Sequence, residues 1–257
     1  MSEPVPDPYA RLRAATRARI GLGRAGDALP TSALLDFQAA HSAARDAVHG
    51  VVDFDALARE LAPRASLRLR SQADDRTTYL RRPDLGRRVR PGDRARLETH
   101  RGDWDLLIVV ADGLSAAGVQ THAVPLIESL TSRLGGLRLA PVVFAEQARV
   151  AIGDELGETL GAEIVAVLIG ERPGLSVADS LGVYLSWRPR IGCPDSLRNC
   201  VSNIHGHGLS YAQAADALEW LIHEARRRRL TGVTLKLDRQ TERSLENGRR
   251  EATDPES

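Results

Sequence analysis

Three apolar runs separated by stretches of helical spacing constrain this chain more than any other feature. They are Leu106-Leu107-Ile108-Val109-Val110-Ala111, residues 139–145 and residues 164–169. A strand that is apolar throughout is covered on both faces, as in the parallel sheet of an α/β protein. Between the first two runs, Val119, Ala123, Leu126, Leu130 and Leu134 recur at helical spacing until Gly135-Gly136. Between the second and third, Ile152 to Leu160 reads as a shorter helix ended by Gly161. The order is βαβαβ, and right-handed crossovers make the three strands parallel.

That topology has a consequence for chemistry. Ligands of open α/β sheets bind where the chain leaves the carboxyl ends of the strands. Asp112-Gly113-Leu114-Ser115, residues 146–150 and Gly170-Glu171-Arg172-Pro173-Gly174-Leu175-Ser176 must therefore cluster on one edge. Asp112 and Ser115 suit helix capping as well as a ligand role. Glu171 with Arg172 forms a solvated surface ion pair unless the surroundings give the carboxylate something else to do.

The flanking segments are less regular. Residues 1–8 read as a loose tail, 9–19 as a short Arg-rich helix and 20–30 as a Gly/Pro loop. Thr31 is placed to cap a helix through Val48, with Leu34, Leu35, Ala40, Ala44 and Val48 on one face and Gly50 as its stop. Asp53 to Leu61 suggests another helix, 66–72 an exposed or edge strand, and 73–102 polar loops. After the third apolar run, a helix over 177–187, a loop over 188–209 and a strong helix from Tyr211 to Arg229 are expected. Residues 239–257 are polar and charged, the composition of a disordered tail. The implied division is 1–102, 103–238 and 239–257.

Lys+Arg totals 35 against 34 Asp+Glu, a net charge of +1, which argues against bulk electrostatic capture of nucleic acid. Cys193 and Cys200 make neither a disulfide framework nor a zinc spacing, and the histidines show no metal spacing. No secretory segment and no apolar run long enough to span a membrane is evident, so a soluble, cytoplasmic chain is expected. Gly21-Leu22-Gly23-Arg24-Ala25-Gly26 matches G-x-G-x-x-G, but that fingerprint needs a preceding strand and a following helix. An Arg-rich helix pattern precedes it instead, so a docking loop is the better fit. The cobalamin motif D-x-H-x-x-G is absent.

Five blocks taken together resemble the small subunit of ethanolamine ammonia-lyase. They are Ala18-Arg19-Ile20-Gly21-Leu22-Gly23-Arg24-Ala25-Gly26, Tyr79-Leu80-Arg81-Arg82-Pro83-Asp84-Leu85-Gly86-Arg87, Ala111-Asp112-Gly113-Leu114-Ser115, Gly170-Glu171-Arg172-Pro173-Gly174-Leu175 and Cys200-Val201-Ser202-Asn203-Ile204. The resemblance implies an α/β chain with a Rossmann-like parallel sheet domain and a smaller helical N-terminal part that docks on a large subunit. It implies an adenosylcobalamin enzyme that turns ethanolamine into acetaldehyde and ammonia by radical migration, begun by cobalt–carbon homolysis. The substrate would belong to the barrel of the large subunit, and the small subunit would cover the corrinoid. The family's cofactor contacts fall on Val150, Glu171 and Cys200, with no catalytic or metal-binding residue on this chain. Absence of D-x-H-x-x-G fits a cofactor that keeps its own benzimidazole on cobalt. A bacterial microcompartment is the alternative to a free cytoplasmic location. The short N-terminus and the long charged tail after Arg239 bear on that packaging. The competing assignments are a nucleotide-binding oxidoreductase domain, which needs a glycine fingerprint at the first strand, and a purely structural subunit.

Overall fold

A computed structural model of the chain describes residues 7–16 and 18–236. Residues 1–6 of the expected 1–8 tail, and the whole of the expected 239–257 tail, lie outside the described residues. The first α-helix, α1 (Ala10–Ala15), is shorter than the 9–19 stretch expected, and is followed by α2 (Thr31–His49) and α3 (Phe54–Glu60). Then come β1 (Ser66–Arg70), α4 (Arg76–Arg81), a 3-10 turn at Leu85–Arg87 and α5 (Pro91–Glu98). The stretch 73–102 is therefore helical in part, not the loop that its polarity suggested.

The expected βαβαβ unit forms as β2 (Trp104–Ala111), α6 (Ala116–Thr131), β3 (Val142–Glu146), α7 (Ile152–Leu160) and β4 (Ala162–Gly170). Its strands are parallel, and β1 adds to β3 in the same sense as an edge strand, as its alternation suggested. The remainder differs from expectation. Residues 177–187 do not form a helix: Leu181–Trp187 is strand β5, antiparallel to β4. Inside the expected 188–209 loop, Arg198–Ile204 is strand β6, antiparallel to β5. The sheet is thus mixed, six strands in the order β1-β3-β2-β4-β5-β6. The physical reason is that β4 would otherwise leave a row of buried N–H and C=O groups unpaired on one side. Helix α8 (Tyr211–Arg228) completes the fold.

Alternate residues of the central strands face opposite layers. Leu106, Ile108, Val110, Ile164, Ala166 and Leu168 pack with α3, α6 and α8. Leu107, Val109, Val165, Val167 and Ile169 pack with α5 and α7. This two-sided burial is why those runs read as continuous apolar sequence. Helix α7 lies close on the sheet because Gly153 and Gly157 present no side chain. A Cβ on either would stand 2.6 or 2.5 Å from Val167 or Val165.

Helix α2 forms where expected and stops at Gly50, but Pro30 rather than Thr31 occupies its cap position. Its apolar stripe is not covered: Leu35 is 58% exposed, Leu34 42% and Phe37 41%. Among the described residues, no helix is long and apolar enough to cross a membrane.

Candidate functional site

The loops that leave β2, β3 and β4 meet on one edge of the sheet, as the topology required. Asp112 ties the first two together. Its buried carboxylate accepts from the backbone N–H groups of Gln147 (2.8 Å), Ala148 (2.9 Å) and Gly113 (3.0 Å). Burial pushes the Asp112 carboxyl above its usual range, against those donors and the nearby Arg76 guanidinium. The Leu114 N–H donates to the Gly170 carbonyl at 2.8 Å, which ties the first loop to the third. Gly113 sits at φ +59°, and a Cβ there would be 2.3 Å from the Gly170 oxygen, so only glycine permits this approach. Ser115 caps α6 through Gly118 N–H and donates to the Ala178 carbonyl at 2.7 Å. Asp112 and Ser115 therefore spend their polar groups on holding the loops.

Glu171 is different. Its backbone N–H donates to the Ser180 carbonyl at 3.0 Å. Oxygen Oε2 accepts from Ser180 Oγ in a short hydrogen bond and from the Asn203 N–H at 3.2 Å. Oxygen Oε1 accepts no hydrogen bond among the described residues. The half-buried carboxylate rests over Gly182, where a Cβ would stand 2.9 Å from Oε1. Arg172 is exposed and makes no ion pair among the described residues, so the surface ion pair weighed from sequence does not form.

Val150 follows β3 and is half-buried against the α7 side of the sheet, together with Tyr184 of β5. Cys200 lies on β6 directly across from Tyr184. The Cys200 thiol is raised by desolvation and further by the Glu171 carboxylate, against a hydrogen bond with Tyr184, so it is a neutral thiol although the residue reaches solvent. Burial pushes the Tyr184 hydroxyl up to about 12. The three residues singled out from sequence thus surround Tyr184, which the helical expectation for 177–187 concealed. The alternation of Leu181, Val183 and Leu185 with Tyr184 and Ser186 was the available signal.

Two clefts flank this centre. One of about 300 Å³ is lined by Leu114, Val150, Ile169, Glu171 and Tyr184 among others. The other, about 550 Å³, shares Arg149, Val150 and Tyr184 and extends to Cys193 and Asp195. Their outer wall is the segment of α4 and the following 3-10 turn. Arg149 lies over the Tyr79 ring at 4.2 Å, and its backbone N–H donates to the Gly86 carbonyl at 2.8 Å. The block from Tyr79 to Arg87 is therefore part of the site and not a surface loop.

Gly21, Gly23 and Gly26 all have positive φ, in a loop held by Arg13 and touching Leu175 through Arg19 at 3.3 Å. Among the described residues, no strand precedes them and no helix opens at them, which disfavours dinucleotide binding. Among the described residues, no group of three or more His, Cys, Asp or Glu side chains is placed to hold a metal.

The family model for ethanolamine ammonia-lyase light chain (EutC) matches residues 6–236. The chain belongs to this family. It is 56% identical over 238 residues to the ethanolamine ammonia-lyase small subunit of Azotobacter vinelandii, covering 90% of this chain and 88% of that one. The small subunit of Pseudomonas syringae pv. tomato is 51% identical, with 90% and 83% covered. That of Xanthomonas campestris pv. campestris (strain B100) is 53% identical, with 91% and 89% covered. The chain is accordingly a component of a carbon–nitrogen lyase.

Proposed function

We propose that this chain is the small subunit of an adenosylcobalamin-dependent ethanolamine ammonia-lyase, active only in a hetero-oligomer with a large subunit that holds ethanolamine. When bound, the cofactor supplies the radical chemistry that converts ethanolamine to acetaldehyde and ammonia. The Rossmann-like part, residues 103–238, covers the corrinoid, and residues 1–102 dock on the large subunit.

The observation that carries this assignment is the free Oε1 of Glu171 beside an apolar surface made by Val150 and Tyr184. A corrin ring is a broad apolar disc whose rim carries amide side chains. Such amides have N–H groups to donate, and a carboxylate accepts them more strongly than a neutral carbonyl does. Ser180 and Asn203 hold the carboxylate in place without using Oε1, so its orientation is set before the cofactor arrives. Val150 and the ring of Tyr184 exclude water from the disc, and the neutral Cys200 thiol packs beside them. This chain's own task is binding, orientation and water exclusion. No nucleophile–base pair is required of it.

Glu171→Ala removes the acceptor. A hydrogen bond to a charged group contributes on the order of 1.5–3 kcal/mol, so the dissociation constant for adenosylcobalamin should rise roughly ten- to a hundredfold. The Michaelis constant for ethanolamine should hardly move. The measurement is a cofactor titration of the reconstituted complex at saturating ethanolamine. Unchanged cofactor affinity would refute the role of Glu171, and lyase turnover by this chain alone would refute the division of labour.

A further inference from the structure

The larger cleft has a charge pattern that the corrin-rim role of Glu171 does not use. Three carboxylates line it, and each is already engaged. Asp84 accepts from Arg82 at 2.7 and 3.0 Å. Asp154 pairs with Arg198 at 2.6 and 2.8 Å, and Asp195 pairs with the same arginine at 3.1 Å. Of its three arginines, Arg88 is taken by Glu155 at 2.9 Å. Arg87 and Arg149 have no carboxylate partner among the described residues. The Arg149 guanidinium lies over the Tyr79 ring, its Cζ 4.2 Å from the centroid, with Nη2 donating to the Tyr79 carbonyl at 3.0 Å; Nε is buried without a partner, and Nη1 makes no hydrogen bond among the described residues. Gly86 makes room for it: a Cβ there would be 2.8 Å from Arg149 Cγ. The Gly86 carbonyl also receives the Arg149 backbone N–H at 2.8 Å, which holds the turn that carries Arg87 beside Arg149 although the two are far apart in sequence.

Asp154 and Asp195 share Arg198, so five arginines (Arg82, Arg87, Arg88, Arg149 and Arg198) face four carboxylates (Asp84, Asp154, Glu155 and Asp195). That net positive charge, with Arg87 and Arg149 free of direct carboxylate partners among the described residues, fits one anion of phosphate type. Resting on the reading that a corrinoid lies across Val150 and Tyr184, we propose that Arg87 and Arg149 bind the phosphodiester of the cofactor's nucleotide tail. The chain then holds the cofactor at two separated points. Glu171 takes a rim amide through the smaller cleft, and the arginines take the phosphate through the larger one.

The test compares adenosylcobalamin with adenosylcobinamide, which has the corrin and its amides but no nucleotide or phosphodiester. Both are titrated by visible absorbance into the complex of full-length chain and large subunit. Arg149→Gln and Arg87→Gln should each weaken adenosylcobalamin binding, roughly tenfold for Arg149 and a few-fold for the exposed Arg87, and leave adenosylcobinamide unchanged. Arg87→Lys should restore most of the loss, since the charge remains. Equal losses for both corrinoids, or no loss for either, would overturn the proposal. Should Arg149→Gln fail to assemble, the exposed Arg87→Gln decides the matter alone. Loss of selectivity in the arginine variants with no effect of Glu171→Ala would refute the rim contact and leave the phosphate site standing.

Discussion

Gly182→Ala should weaken cofactor binding without touching the cofactor. The added methyl would stand 2.9 Å from Glu171 Oε1, 3.2 Å from its Cγ and 3.3 Å from its Cδ. A carbon–oxygen approach that short is not tolerated, so the carboxylate must leave its bed. It then loses the Ser180 and Asn203 hydrogen bonds that aim it. Overpacking of this kind costs about 1–3 kcal/mol, and replacing a strand glycine by alanine returns about 0.5–1 kcal/mol. The net folding penalty is therefore between about 0 and 2.5 kcal/mol, and toward the lower part because the displaced atoms end a flexible side chain, so Tm falls by a few degrees at most for a chain this size. The misaimed carboxylate forfeits much of the roughly 1.5–3 kcal/mol ascribed to its charged hydrogen bond, so the dissociation constant for adenosylcobalamin should rise about tenfold. Cofactor titrations of complexes carrying Gly182→Ala, Glu171→Ala and both substitutions give a double-mutant cycle. If Gly182 acts through Glu171, the double variant binds no worse than Glu171→Ala. Strictly additive losses would refute that coupling, as would an unchanged affinity in the Gly182→Ala complex.

Asp154→Asn removes the buried partner of an ion pair whose side chains are only 2–3% exposed and leaves Arg198 with the exposed Asp195 alone; a loss at the low end of about 3–5 kcal/mol in denaturant unfolding is expected, and an unshifted midpoint would contradict it. His122 is buried, with Nδ1 2.8 Å from the Tyr211 hydroxyl and Nε2 3.7 Å from Asp179. Burial lowers its pKa, with His205 adding to the effect and Asp179 opposing it. The unfolded chain then takes the proton first, so stability is full above about pH 6.5 and declines as pH falls toward the lower folded value. His122→Gln should flatten the Tm difference between about pH 7.5 and 5.5, and an equal slope in the variant would refute this assignment. Leu35→Arg on the uncovered face of α2 should weaken co-purification with the large subunit and leave the chain's own Tm unchanged; intact assembly would place the docking surface elsewhere.

The strands β2, β3 and β4 and helices α6, α7 and α8 were legible because their signal is local: apolar runs, helical spacing and glycine stops. The convergence of the loops at Asp112, residues 146–150 and Glu171 followed from that topology alone. Strand β5 carried only its short alternation and β6 no clear signal, because the residues that interrupt them answer distant partners. Gly182 stands in a strand because the Glu171 carboxylate rests on it. Arg198 stands in a buried strand because Asp154 of α7 meets it. Tyr184 was hidden with them. The Tyr79 to Arg87 block looked like loop because its polarity serves the wall of a cleft, with Arg149 stacked on Tyr79. Of the residues proposed from family resemblance, Val150 and Glu171 stand where the sheet edge put them, and Cys200 arrives on a strand rather than a loop.

The hydrogen bonds from Gln147 and Ala148 to Asp112, from Leu114 to Gly170 and from Ser115 to Ala178 join segments of three separate loops into one rigid plate. A large, flat partner that settles on such a plate finds its shape already fixed. Little conformational entropy is then surrendered on this side of the complex, and more of the contact energy survives as affinity. Loosening the plate at Asp112 would tax every contact on it at once, including those made by residues that Asp112 never touches.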